Sequence, residues 1–160
     1  MQTDGDAMRF MRRAIELSRI HMEAGEGGPF GAVVVKDGEI LGEGWNRVTS
    51  THDPTAHAEV VAIRQACARL GTFQLRGCEI YASCEPCPMC LAAIYWARLD
   101  RVWYANSRTD AAAIAFDDDW LYREVATPLE ARSLPARQIL RDEALKVFRA
   151  WETKPDKIPY

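Results

Sequence analysis

The chain has 160 residues, 48% hydrophobic and 27% charged, with 20 basic against 23 acidic side chains and a net charge of −3. At roughly 150 residues per domain this is one domain, and a chain of this length buries roughly 70% of the surface its unfolded form exposes, enough for a core without staples. The composition excludes collagen-like, disordered and disulfide-scaffold classes, and the slightly acidic balance argues against capture of nucleic acid by the bulk surface.

The amino terminus is polar and acidic before any apolar run, which is not the pattern of a secretory leader. The longest apolar runs, 32–35 and 91–97, are too short to span a bilayer. Cysteines number five, and Cys84, Cys87 and Cys90 crowd together, which in a cytoplasmic chain reads as metal binding rather than as a disulfide framework. A cytoplasmic location is therefore expected.

Met8, Met11, Ile15 and Met22 recur at helical spacing, predicting a first helix over 4–24 that Gly25, Gly27 and Gly28 stop. Residues 29–46 read as two strands joined at Asp37-Gly38, a strong hairpin signal. A polar loop over 47–53 leads to Pro54 and a second helix, 57–70, whose apolar positions Val60, Ile63, Cys67 and Leu70 share one face. Residues 78–83 form a third strand, the CEPCPMC segment opens a third helix with Pro86 near its first turn, and 101–106 form a fourth strand. Strand, helix, strand at these lengths predicts parallel pairing through a right-handed crossover. Two further helices are expected around 118–125 and 141–152, separated by Pro128 and Pro135. The expected fold is α/β: a three-layer α/β/α domain with a mixed central sheet of about four or five strands.

The informative residues are His57 and Glu59 opening the second helix, and Cys87 and Cys90 opening the third. One imidazole and two thiolates suit zinc in tetrahedral geometry, one ion per subunit. Cysteines three apart on a first helical turn aim both sulfurs to one side, and two helix N-termini meeting at one sheet edge favour anionic ligands there. Glu59 is placed to face the fourth position, where it takes a proton from water, passes it to a ring nitrogen and then protonates a departing amine. The chemistry is hydrolytic deamination of an amino-substituted heterocycle, and H-x-E followed by P-C-x-x-C is a signature of zinc nucleobase deaminases. The competing reading is a closed Cys₃His structural site using Cys84, which leaves no room for water and gives Glu59 nothing to do. An iron–sulfur reading fails because Ile94 stands where a fourth cysteine is required.

With these residues in place, the chain resembles the cytidine deaminase superfamily over nearly its whole length. Within it, the chain is most similar to the small bacterial guanine deaminases, through GGPFGAVVVKDG, HDPTAHAEVVAIRQAC, SCEPCPMCLAAIYWAR and TDAAAIAFDD. That resemblance implies zinc on His57, Cys87 and Cys90 with Glu59 as proton shuttle. It implies that the backbone of Ala58 faces the attacked carbon, Asn46 hydrogen-bonds the purine, Phe30 and Trp96 pack on the base, and Asp118 contacts the amine side. It further implies that an aromatic residue at the end of the chain, here Tyr160, closes the pocket with a tail of about 153–160. That tail often comes from the partner subunit of a swapped homodimer. The reaction implied is guanine plus water to xanthine plus ammonia, with a small purine base as partner.

Other readings stay open at this point. EGWNRVTSTHDPTAHAE is also similar to bacterial tRNA adenosine deaminases, whose RNA requires a basic surface. Residues 141–157 carry five basic against four acidic side chains, a mixed surface that argues against nucleic acid. A guanosine or other nucleoside deaminase shares the same motifs, and a zinc-stabilised binding module without catalysis is the reading of a different class. Asn46 also fits a loop cap, Asp117, Asp118 and Asp119 a solvated helix start, Phe30 the core, and Trp96 and Tyr95 a core or subunit interface. A chain end reading Ile-Pro-Tyr fits docking, since it would otherwise leave apolar surface in water. His21 and His52 read as ordinary surface histidines, and Cys67 and Cys78 as buried thiols.

Overall fold

A computed structural model describes residues 4–160. The residues divide into two compact units, one up to Val125 and a second over Ala126–Tyr160.

In the first unit, helix α1 (Asp4–Glu23) precedes strands β1 (Gly31–Lys36) and β2 (Glu39–Trp45). A short helix α2 (Val48–Thr51) leads to α3 (Ala58–Leu70), β3 (Glu79–Cys84), α4 (Pro88–Trp96) and β4 (Arg101–Asn106). Helices α5 (Arg108–Ala113) and α6 (Asp118–Ala126) follow, the latter ending at the junction. The second unit holds a 3₁₀ turn (Leu129–Ala131) and α7 (Arg141–Thr153), an amphipathic helix opened by Leu140 in the left-handed conformation.

The four strands form one mixed sheet in the order β2-β1-β3-β4. β1 is antiparallel to both neighbours, and β3 runs parallel to β4 as its helical crossover requires. The β1–β2 turn has Asp37 and Gly38 both at positive φ, +49° and +81°, the conformation a two-residue hairpin needs. β1 is buried on both faces. Val33 and Val35 join Tyr81, Phe10 and Leu17 on the α1 side. Ala32 and Val34 join Ile80, Ala82, Ala58, Ala62 and Ile94 on the side of α3 and α4. This two-sided burial of alternate residues makes the domain three-layered.

α3 turns a different face to the sheet than its bulky residues predict, and α1 does so only in part. α1 buries Phe10, Ala14 and Leu17 with Met11 packed against that cluster, while Met8, Ile15 and Met22 are exposed. α3 buries Ala58, Ala62 and Ala66, whereas Val60, Ile63 and Cys67 are only partly buried and Leu70 is exposed. Glycines on the strands explain the choice. A Cβ at Gly42 would lie 2.3 Å from the Ala62 carbonyl oxygen, and one at Gly44 2.1 Å from that of Ala58. The helix backbone rests on the strand itself, so only alanine fits between. Two short helices also replace expected irregular chain. α2 occupies the polar loop, and α5 is opened by a Ser107–Asp110 capping box.

Candidate active site

His57 is the N-cap residue of α3 and Cys87 that of α4, with Cys90 three residues on, in the first turn. The helix starts at Pro88, in the first helical position, rather than near Pro86, because proline has no N–H to satisfy there. Neither side chain makes a cap hydrogen bond to its helix, and imidazole and thiol turn toward each other. His57 Nδ1 lies 3.6 Å from Cys87 Sγ and 3.5 Å from Cys90 Sγ. Tetrahedral zinc, at about 2.3 Å from sulfur and about 2.05 Å from nitrogen, requires an N···S separation of about 3.6 Å. The donor set therefore fits zinc in both chemistry and spacing, and all three ligand atoms lie within 4.8 Å of one another.

Cys84 stays out of this cluster. Its Sγ turns to the Ser107 carbonyl at 3.6 Å, and burial pushes its thiol up to about 11. A closed four-ligand centre is thus not assembled among the described residues. The hydrogen bond from the Cys90 thiol, with help from His57, holds Cys87 down to about 4, and the same bond pushes Cys90 up. That thiolate raises the His57 pKa in turn. Glu59, in the first turn of α3, is only 8% exposed, and burial raises its carboxyl to about 7.

These groups open onto a cavity of about 230 Å³ lined by Phe30, Asn46, His57, Glu59, Cys87 and Asp118, among others. That is small for a ligand pocket, the size for one planar heterocycle. Asn46 is buried, and its Oδ1 accepts from the backbone N–H groups of Gly28, at 3.3 Å, and Val48, at 3.2 Å. With the oxygen so occupied, the amide nitrogen is the group left to meet a ligand. A Cβ at Gly27 would stand 2.1 Å from the Asn46 carbonyl oxygen, which shows how closely the two segments meet. Phe30 meets Phe116 edge-to-face, with centroids 4.8 Å apart. Asp118 opens α6, and burial raises its carboxyl above the usual range.

Trp96 closes α4, about 13 Å along the helix axis from Cys87 at 1.5 Å per residue. It is 63% exposed and does not line the cavity, so the structure does not place it on a base. Ala58 is buried between His57 and Glu59 with its carbonyl against Gly44, and is not a lining residue. Tyr160 belongs to the second unit. Sequence reasoning missed Phe116 and Glu85, both of which line the cavity. Phe116 was signalled only by its place beside Asp118. Glu85 sits in the cysteine run, and its carboxylate accepts from the Arg108 backbone N–H at 3.0 Å.

Residues 5–106 match the family model of the cytidine and deoxycytidylate deaminase zinc-binding region. The chain belongs to this family. It is 54% identical over 151 residues to the guanine deaminase of Bacillus subtilis, covering 94% of this chain and 97% of that protein. The crystal structure of guanine deaminase from that organism superposes with a TM-score of 0.93 at 53% identity, over 96% of this chain and 98% of the other. A structure of guanine deaminase from Nitrosomonas europaea matches with a TM-score of 0.65 at 34% identity, over 88% of this chain and 81% of that one. The tRNA-specific adenosine deaminase of Aquifex aeolicus is 44% identical, but over 60% of this chain and 63% of that protein. Among the described residues, no helix is long and apolar enough to cross a membrane.

Proposed function

We propose that the protein is a zinc-dependent guanine deaminase that converts guanine and water to xanthine and ammonia. The observation that carries this is a heterocycle-sized cavity where a Cys₂His donor set and a buried glutamate meet, in a chain similar from end to end to a guanine deaminase. His57, Cys87 and Cys90 would hold zinc, which when bound supplies Lewis acidity and activates water near neutral pH. Glu59, with a carboxyl near neutrality, is suited both to accept and to return a proton. It takes one proton of the attacking water and delivers it to a ring nitrogen beside the attacked carbon; it then carries the remaining proton of the new hydroxyl to the amine, which departs as the carbonyl forms.

Asn46 donates its amide N–H to an acceptor on the base, and Phe30, braced by Phe116, packs on the ring. Asp118, also in the cavity wall, faces the amine side of the base. Ala58 N–H stands near the attacked carbon. The reading extends to a homodimer in the cytoplasm, with a tail of about 153–160 ending in Tyr160 closing a site, its own or its partner's. Support for the tail is its composition, an Ile-Pro-Tyr end on a charged segment.

The test is ammonia release by zinc-loaded protein offered guanine, guanosine, adenine, cytosine and a tRNA anticodon stem-loop. Guanine alone is the expected substrate, and activity confined to the stem-loop would overturn the proposal. Deleting 153–160 should depress guanine turnover or admit guanosine; an unchanged truncated protein refutes the closing tail.

A further inference from the structure

The loop between α1 and β1 carries Gly28 and Phe30 into the cavity, and the segment after β2 carries Asn46, Val48 and Thr49. One residue outside the cavity fastens the two together. The Glu26 backbone N–H donates to the His21 carbonyl at 3.0 Å, and its own carbonyl accepts from the Thr49 hydroxyl at 3.3 Å. Its carboxylate takes His21 Nδ1 on one oxygen at 3.0 Å and Trp45 Nε1 on the other at 2.6 Å. The His21 and Trp45 rings stack at 3.6 Å and 4°, and the Arg47 guanidinium lies over the Trp45 ring at 5.7 Å. Glu26 therefore ties α1, β2 and α2 to the loop only two residues before Gly28, whose N–H is bound by Asn46.

We propose that Glu26, held by His21 and Trp45, is a positioning residue that sets the base-binding wall of the cavity and so governs the affinity for substrate. This rests on the guanine deaminase reading for its substrate. The physical argument is local. The loop over 25–30 contains three glycines and would otherwise sample many conformations, and every one excluded by the tie is a cost not met when the base binds. The metal ligands and Glu59 lie on other elements, so the chemical step should be spared.

The experiment compares wild-type protein with Glu26→Ala, Glu26→Gln and Trp45→Phe in hydrogen exchange and in guanine kinetics. In Glu26→Ala, the amides of Gly28 and Val48, both bound to Asn46, should exchange about tenfold faster. KM for guanine should rise about five- to tenfold, the net worth of one ordinary hydrogen bond, with kcat within about twofold. Glu26→Gln keeps an acceptor for Trp45 and should recover most of the loss, while Trp45→Phe, which keeps the stack, should fall between. A merely structural role would lower the active fraction, and hence apparent kcat, and leave KM alone. Unchanged exchange overturns the tie. Faster exchange with unchanged KM overturns its role in the site. If wild-type protein fails to turn over guanine, the substrate reading falls, and the exchange result still decides whether Glu26 holds this wall.

Discussion

Substituting Gly44 by alanine is the sharpest test of how the fold delivers the site. Gly44 pairs with Ala32 in the β1–β2 ladder, and its φ is not in the left-handed region, so the added methyl brings a steric problem alone. That methyl would lie 2.1 Å from the Ala58 carbonyl oxygen and 2.5 Å from the Ala62 nitrogen, where ordinary contact begins at 3.4 Å. The first turn of α3 must therefore recede by about 1.3 Å, since backbone atoms cannot rotate out of the way as a side chain does. Overpacking of this kind costs about 1–3 kcal/mol. Ala58 lies between His57 and Glu59, so the same displacement moves a metal ligand and the proton shuttle, and a misplacement of about 1 Å can cost about 10²-fold in rate. Urea unfolding followed by tryptophan fluorescence should show a lower midpoint, and kcat per bound zinc should fall by about 10². A Gly44→Ala protein with wild-type stability and wild-type turnover would refute the claim that α3 is seated on the strand backbone.

Three further outcomes are expected. Glu59→Gln should keep zinc content and fold while lowering kcat for guanine by about 10²–10⁴-fold, as measured by metal analysis beside ammonia release; an active variant would remove Glu59 from proton transfer. Cys84→Ser should retain stoichiometric zinc, because the Cys84 thiol turns to Ser107 and not to the metal ligands; metal loss would revive the four-ligand centre. Glu43 takes two hydrogen bonds from Arg13, at 2.7 and 2.9 Å, which hold its carboxyl below the usual range. Stability from a lowered carboxyl pKa is present above the unfolded value and lost as pH falls through the folded one. The urea midpoint of Glu43→Gln should thus lie below that of wild type at pH 7, by under about 1 kcal/mol for so exposed a pair, and the gap should close as acid protonates the folded carboxylate. A gap that persists in acid would show that the ion pair is not its source.

Much of the molecule was legible in the chain itself. Asp37-Gly38 specifies its hairpin because only residues tolerant of positive φ close a two-residue turn. The β3–α4–β4 run specifies a parallel pair because its helix forbids a hairpin, and His57, Glu59, Cys87 and Cys90 announce their chemistry through residue type and local spacing alone. These are short-range properties, decided within a few residues.

What tertiary structure decided is which surfaces meet. The alanine face of α3 lies inward because Gly42 and Gly44, on a different element, let backbone approach backbone, whereas hydrophobicity alone favoured the bulkier face. Trp96 shows the same limit. It sits in the run that carries the zinc ligands, yet helix length separates it from them, whereas the strand-end place of Cys84 already sets that thiol apart from the helical turn. Phe116, Glu85 and the Glu26 tie join the site only through contacts made across the fold. Side-chain chemistry is inherited from sequence, but direction and neighbourhood follow from packing distances that no local spacing encodes.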